Sequence, residues 1–167
     1  SPTLTTVYTT TGTAANGCRN VFTKTITVNA LPTISTAASS SAVCIGSNAS
    51  LIASGASTYT WMPGSMTGAT VSATPTVNTT YTVTGTDANG CVNTSVRSVT
   101  INSLPTVTIS ATSTNICAGQ STTLTGSGAV SYTWMPGSIT GNPIAPSPAS
   151  VTNYTCLGMG SNGCVGQ

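Results

Sequence analysis

The sequence predicts an all-β chain of tandem, immunoglobulin-like β-sandwich repeats with a period of 73 residues. Three observations carry this. First, Tyr59-Thr60-Trp61-Met62-Pro63-Gly64-Ser65 returns letter for letter as Tyr132-Thr133-Trp134-Met135-Pro136-Gly137-Ser138, and 132 − 59 = 73. At that offset Cys44 falls on Cys117, Leu31-Pro32 on Leu104-Pro105 and Tyr81 on Tyr154. Residues 31–94 align with 104–167 without a gap, and 29 of the 64 positions are identical. Self-similarity at a fixed period is the signature of a repeat architecture. Second, no window of ten residues has helical periodicity, and Thr, Val, Ser and Gly all disfavour helix. Third, roughly seven short strands divided by turn residues fit each unit, the profile of an immunoglobulin-type sandwich.

The elements follow in order. Residues 1–30 read as the C-terminal hairpin of a preceding repeat. Val7 to Thr13 alternates, Asn16-Gly17 turns, and Val21 to Val28 returns. Asn-Gly between alternating segments is a strong hairpin signal because both turn positions tolerate φ > 0. Leu31-Pro32 marks the join, since proline cannot continue a ladder. Residues 31–103 form the complete repeat, with strands expected near 33–37, 42–45, 50–53, 57–62, 70–73, 80–86 and 93–101. Gly46, Pro63-Gly64 and Asn89-Gly90 supply turns. Residues 104–167 repeat the pattern and lack its last strand, as expected of a window from a longer repeat protein.

Composition narrows the function. Ser and Thr number 59, against three Lys or Arg, one acidic residue and no His. The four charges are Arg19, Lys24, Asp87 and Arg97. A net charge of +2 sets up no field that would recruit nucleic acid or an anionic membrane. No run is long enough to span a bilayer as a helix. Acid–base catalysis needs a titratable pair, and a Ser or Thr nucleophile needs a base; one carboxylate without an imidazole supplies neither. Calcium needs several acidic oxygens, and no zinc or phosphate-loop pattern is present. The expectation is therefore a non-enzyme with no cofactor and no metal, with neither nucleic acid nor membrane insertion among its partners.

Tyr59 and Trp61, two apart on one strand, share a face. They could stack on sugar rings, but each unit has one Trp, so Trp61 and Trp134 are expected in the core. Tyr81 and its equivalent Tyr154 are likewise expected to be structural, with a hydroxyl bonded back to nearby backbone. Thr82, Thr84 and Thr86 share a strand face read as solvated. Asn48, Asn78, Asn93 and Asn153 fit a glycosylation pattern that chance explains in so polar a chain.

Six cysteines without a CxxC spacing point to disulfides in an oxidising, extracellular setting. Pairing within each unit, Cys44 with Cys91 and Cys117 with Cys164, is the expectation. The competing arrangement joins neighbours, Cys44 to Cys164, and is favoured if the first turn and the last hairpin lie at opposite ends of a unit. Cys18 would find its partner upstream. Cys156 stands where Val83 stands in the other repeat, making it an extra thiol, either free or intermolecular.

The succession Ile116-Cys117-Ala118-Gly119-Gln120-Ser121, Leu124-Thr125, Tyr132-Thr133-Trp134 and Pro136-Gly137 resembles the PKD-like or Ig-like repeats of Bacteroidetes surface proteins. Thr79-Thr80-Tyr81-Thr82-Val83-Thr84, Asp87-Ala88-Asn89-Gly90-Cys91, Val99-Thr100-Ile101-Asn102 and Leu104-Pro105 fit the same pattern, so the resemblance covers essentially the whole chain. It implies long secreted gliding or attachment adhesins, exported by the type IX system through a C-terminal signal. Cys156 departs from the pattern, as does Met before Pro-Gly. The function expected is a structural repeat region of a secreted or cell-surface protein, self-associating into a stiff stalk or filament, with a surface or glycan ligand as a further partner. The alternatives are a carbohydrate-binding module using Tyr and Trp, or a domain decorating a phage or virion.

Overall fold

The computed structural model describes residues 1–167, folded as sixteen β-strands with no helix. The chain divides into two compact units: Ser1–Ser39 with Ser50–Ser72 and Thr80–Arg97, and Ser40–Ala49 with Ala73–Thr79 and Ser98–Gln167.

The first unit begins with β1 (Thr6–Thr13) and β2 (Arg19–Ile26), an antiparallel hairpin in register from Thr6 opposite Ile26 to Thr13 opposite Arg19. The Asn16-Gly17 turn closes it: Ala14 N–H donates to Cys18 O at 2.8 Å, and Gly17 takes φ 81°, which a side chain would strain. The hairpin is exposed almost throughout, leaving Val7, Tyr8, Val21 and Phe22 in solvent.

Two sheets follow. β3 (Ser35–Ala38), β5 (Ala49–Ser54) and β8 (Thr70–Ala73) pair in the order β3-β5-β8. β6 (Thr58–Met62), β7 (Met66–Thr67), β9 (Thr79–Thr86) and β10 (Val92–Asn102) pair in the order β10-β9-β6-β7. Burial alternates along β6, β8 and β9, as a strand with one face on a core requires. Leu51, Ala53 and Val71 are buried from one sheet, and Tyr59, Trp61, Tyr81 and Val83 from the other. Two sheets each burying one face make the pattern of a β-sandwich.

The second unit holds β4 (Ala42–Cys44), which runs parallel to the end of β10 with Ala42 opposite Thr100 and Cys44 opposite Asn102. β11 (Thr108–Ala111) pairs with β12 (Leu124–Ser127). β13 (Ser131–Met135), β14 (Ile139–Thr140), β15 (Thr155–Met159) and β16 (Val165–Gly166) form a sheet ordered β14-β13-β15-β16. Leu124, Trp134, Ile144 and Cys156 make its core, with Val107, Tyr132 and Tyr154 packed against them. Where the first unit has β8, this unit has one bridge, Leu124 to Ile144. Asn142 continues the pairing with its side chain, its Nδ2 donating to Gly126 O at 2.8 Å and its Oδ1 accepting from Gly126 N–H at 2.6 Å.

Candidate functional site

The side chains singled out for ligand binding lie inside. Trp61 and Trp134 have no exposed surface, and Tyr59 is buried. Each indole N–H is satisfied internally, Trp61 donating to Gly68 O at 3.1 Å and Trp134 to Gly141 O at 3.0 Å. A sugar ring can reach neither face, so the aromatic stacking site weighed from the sequence is replaced by two core anchors.

The tyrosines sort differently from the expectation. Tyr81 is buried, and its burial pushes the phenol above its usual range. Tyr154 is only half-buried against the second core. The hydroxyls that bond back to the backbone are those of Tyr59 and Tyr132. Tyr59 accepts from Ala56 N–H at 2.6 Å and donates to Ala56 O at 2.7 Å. Tyr132 does the same at Ala129, at 2.9 and 2.8 Å. The signal was available: both tyrosines stand three residues after an alanine that follows a glycine, in identical Gly-Ala-x-x-Tyr runs.

The one carboxylate is occupied in its own turn. Asp87 Oδ1 accepts from Asn89 N–H and Cys91 N–H, both at 2.8 Å. Thr82, Thr84 and Thr86 are half-buried, on the face opposite Tyr81 and Val83. No group of three or more His, Cys, Asp or Glu side chains gathers to hold a metal, and no helix is long and apolar enough to cross a membrane.

The chemistry the chain does carry is at its cysteines. Cys44 and Cys164 form a disulfide with Cα atoms 5.6 Å apart, at a sequence separation of 120. This is the neighbour-joining arrangement, and neither expected within-unit pairing, Cys44 with Cys91 or Cys117 with Cys164, is formed; Cys91 and Cys117 are free. Strand length explains the outcome. Cys44 lies beside Asn102 at the end of β10, while Cys91 precedes its first residue, Val92. Eleven residues at about 3.3 Å each put roughly 36 Å between those ends, and a disulfide bridges less than about 7 Å between Cα atoms.

Two turns present the bonded sulfurs. On one side Ser47 N–H donates to Cys44 O at 2.9 Å with Gly46 at φ 80°, and Ile45 N–H donates to Asn102 O at 3.0 Å. On the other, Gly160 N–H donates to Cys164 O at 2.8 Å, Cys164 N–H to Asn162 Oδ1 at 3.1 Å, and Gly163 takes φ 77°. Asn162 Nδ2 then reaches Ser103 O at 3.0 Å, a second tie beside the disulfide. Cys164 is fully buried.

The remaining cysteines are free thiols: Cys18 and Cys117 exposed, Cys91 half-buried, Cys156 buried. Cys156 lies in the core with Trp134 and Leu124, and burial pushes its thiol above the usual range. Of the two roles weighed for it, an intermolecular bond is closed off by that position. Beside Cys117 the second unit has a groove of 740 Å³, lined among others by Ile109, Ile116, Ala118, Leu124 and Tyr154.

No family model matches the chain, and no curated protein matches it. Among solved structures, it is similar to a chain described as "Structural insight into host cell surface retention of a 1.5-MDa bacterial ice-binding adhesin". The alignment covers 95% of this chain and 70% of that one, at 15% identity and a TM-score of 0.41.

Proposed function

We propose that this chain is a structural repeat region of a secreted or cell-surface bacterial protein of adhesin type, serving as a stiff extracellular stalk or filament. Its repeats are immunoglobulin-like, of the PKD-like kind, with a 73-residue period and joins at 30–31 and 103–104. The observation that carries this reading is the joint between the segments 31–103 and 104–167. There the Cys44–Cys164 disulfide and the Asn162–Ser103 hydrogen bond act together, next to a connection of only a few residues. A short connection held by a covalent tie has little freedom to bend, and an extracellular array that transmits force has that requirement. The occupied carboxylate and the buried indoles support a mechanical role over catalysis or stacking on sugars.

The surface supports lateral or end-to-end association. Edge strands ordinarily carry charges that block pairing with other chains, and this chain has four charged residues in all. Light scattering on versions with two and four repeats tests the association. Mass growing with concentration is expected, and strict monomers at high concentration would remove the filament.

A further inference from the structure

We propose that Asn162 is a modification site coupled to the joint: when the Cys44–Cys164 disulfide opens, the Gly163 nitrogen closes on the Asn162 side chain, and loss of the amide makes the opening permanent. The chain has three Asn-Gly turns, Asn16-Gly17, Asn89-Gly90 and Asn162-Gly163. Their glycines take φ 81°, 81° and 77°, and without a Cβ a glycine leaves its own backbone nitrogen open to approach. That nitrogen's N–H makes the same turn bond in all three, Gly17 to Ala14 O at 2.9 Å, Gly90 to Asp87 O at 3.2 Å and Gly163 to Gly160 O at 3.0 Å. All three asparagines are exposed, so water reaches each. What sets them apart is the hold on the carboxamide.

Asn162 is held at both ends. Its Oδ1 accepts from Cys164 N–H at 3.1 Å, and its Nδ2 donates to Ser103 O at 3.0 Å, at a sequence separation of 59. Asn16 is held at one end: its Oδ1 accepts from Cys18 N–H at 3.2 Å, and no protein group accepts from its Nδ2. At Asn89 the neighbouring carboxylate takes over, with Asp87 Oδ1 accepting from Cys91 N–H at 2.8 Å. Asn89 Nδ2 has only Asp87 Oδ2, at 3.5 Å in the same turn. For Asn162 Cγ to meet the Gly163 nitrogen, the carboxamide must leave both of its bonds. The disulfide keeps the long-range one closed. Cys44 lies opposite Asn102 and Ile45 N–H donates to Asn102 O at 3.0 Å, so the bond to Cys164 pins the Asn162 turn against Asn102-Ser103. Opening it releases that turn, and the rate of a reaction that needs local opening follows how often the opening occurs.

The disulfide is opened by a dithiol, which supplies the electrons and protons and becomes a disulfide itself. The Gly163 nitrogen then attacks Asn162 Cγ and gives its proton to solvent. The Cγ–Nδ2 bond breaks, ammonia leaves and a succinimide closes. Water opens that ring on the Cγ side to aspartate, or on the main-chain carbonyl side to isoaspartate, whose backbone runs through Cβ and Cγ. Either product carries a carboxylate where the donor stood, and Ser103 O, an acceptor, has nothing to accept from it. Isoaspartate also adds one atom to the backbone before Cys164. The bonded pair holds its Cα atoms 5.6 Å apart, and disulfide geometry tolerates little displacement.

The inference concerns the joint itself and stands whether or not chains associate into a filament. The test incubates the full chain at mildly alkaline pH, oxidised or with a dithiol reductant, and follows deamidation at each asparagine by peptide mapping with mass spectrometry. In the oxidised chain Asn16 and Asn89 are expected to react at least about threefold faster than Asn162, the factor one net hydrogen bond is worth. Reductant should raise the Asn162 rate by that factor or more and leave Asn16 and Asn89 unchanged, which also certifies that their turns stay folded. A double variant, Cys44→Ala with Cys164→Ala, should show the raised rate without reductant, separating the open joint from any direct effect of the dithiol. On reoxidation with oxidised glutathione, chains with intact Asn162 should recover the Cys44–Cys164 bond and deamidated chains should not. Equal rates at the three sites in the oxidised chain would overturn the proposal, as would an Asn162 rate indifferent to reductant and to the double variant. An acceleration shared by all three sites, or deamidated chains that reclose as fully as intact ones, would do the same.

Discussion

Replacing both Cys44 and Cys164 with Ala should cost the chain a large part of its stability, and the structure sets the size. The bond closes a loop whose ends are 120 residues apart. The loop-entropy relation gives about 16 cal/mol/K for that length, or about 5 kcal/mol at 25 °C. That is an upper figure, because residual structure in the unfolded chain reduces it, and measured values run from about 0 to 5 kcal/mol. Domains of this size hold about 5–15 kcal/mol in total, so even half of the figure is consequential. A urea titration followed by tryptophan emission reads it. With a slope of about 2 kcal/mol/M, the midpoint of the double variant should fall by about 1–2.5 M. Removing both sulfurs avoids a stray thiol, and Cys117→Ala, a substitution at an exposed site, should move the midpoint by the few tenths of a kcal/mol typical of surfaces. A double variant that unfolds where wild type does would refute the reasoning, because the tie would then contribute nothing to the fold.

Three further outcomes follow from individual side chains. Tyr59→Phe leaves both backbone groups of Ala56 without their partner and should cost about 1–3 kcal/mol in a thermal melt; a variant as stable as wild type would show that water replaces the hydroxyl. Aqueous iodide should fail to quench the emission of Trp61 and Trp134, both fully buried, and efficient quenching would return the aromatic surface to consideration. Cys156, with its thiol pushed upward by burial, should resist a thiol reagent at mildly alkaline pH while Cys18 and Cys117 react. Its sign in stability is fixed as well: the folded state holds the proton longer than the unfolded state, so stability falls as pH rises through the ordinary thiol range. Cys156→Val, which restores the residue found at Val83, should flatten that fall, and an unchanged pH dependence would assign it elsewhere.

Most of the strand pattern was legible because it rests on alternation and turn chemistry. The expected strand at 70–73 coincides with β8, those at 57–62 and 80–86 fall within a residue of β6 and β9, and the Asn16-Gly17 hairpin is closed as its turn residues require. What escaped was created by contact rather than by local pattern. β7 and β14 are two residues long, too short for any period, and each exists because the chain doubles back on its tryptophan strand. The parallel pairing of β4 with the end of β10 is a long-range choice, and it decided which cysteine Cys44 meets. Asn142 looks like a loop residue, yet its amide completes the edge of β12. The tyrosine hydroxyl role moved from Tyr81 to Tyr59 because the partner was an alanine three residues away, a local motif present in both copies.

The most direct test of the central claim, a stiff array tied at each joint, is small-angle X-ray scattering on versions with two, three and four repeats, oxidised and reduced. β10 has eleven residues, about 37 Å at 3.4 Å per residue, so each added repeat should lengthen the oxidised particle by a constant increment of roughly that size. Reduction should shorten and broaden the distribution of lengths. A maximum dimension that grows as the square root of repeat number, or one indifferent to reduction, would contradict the account.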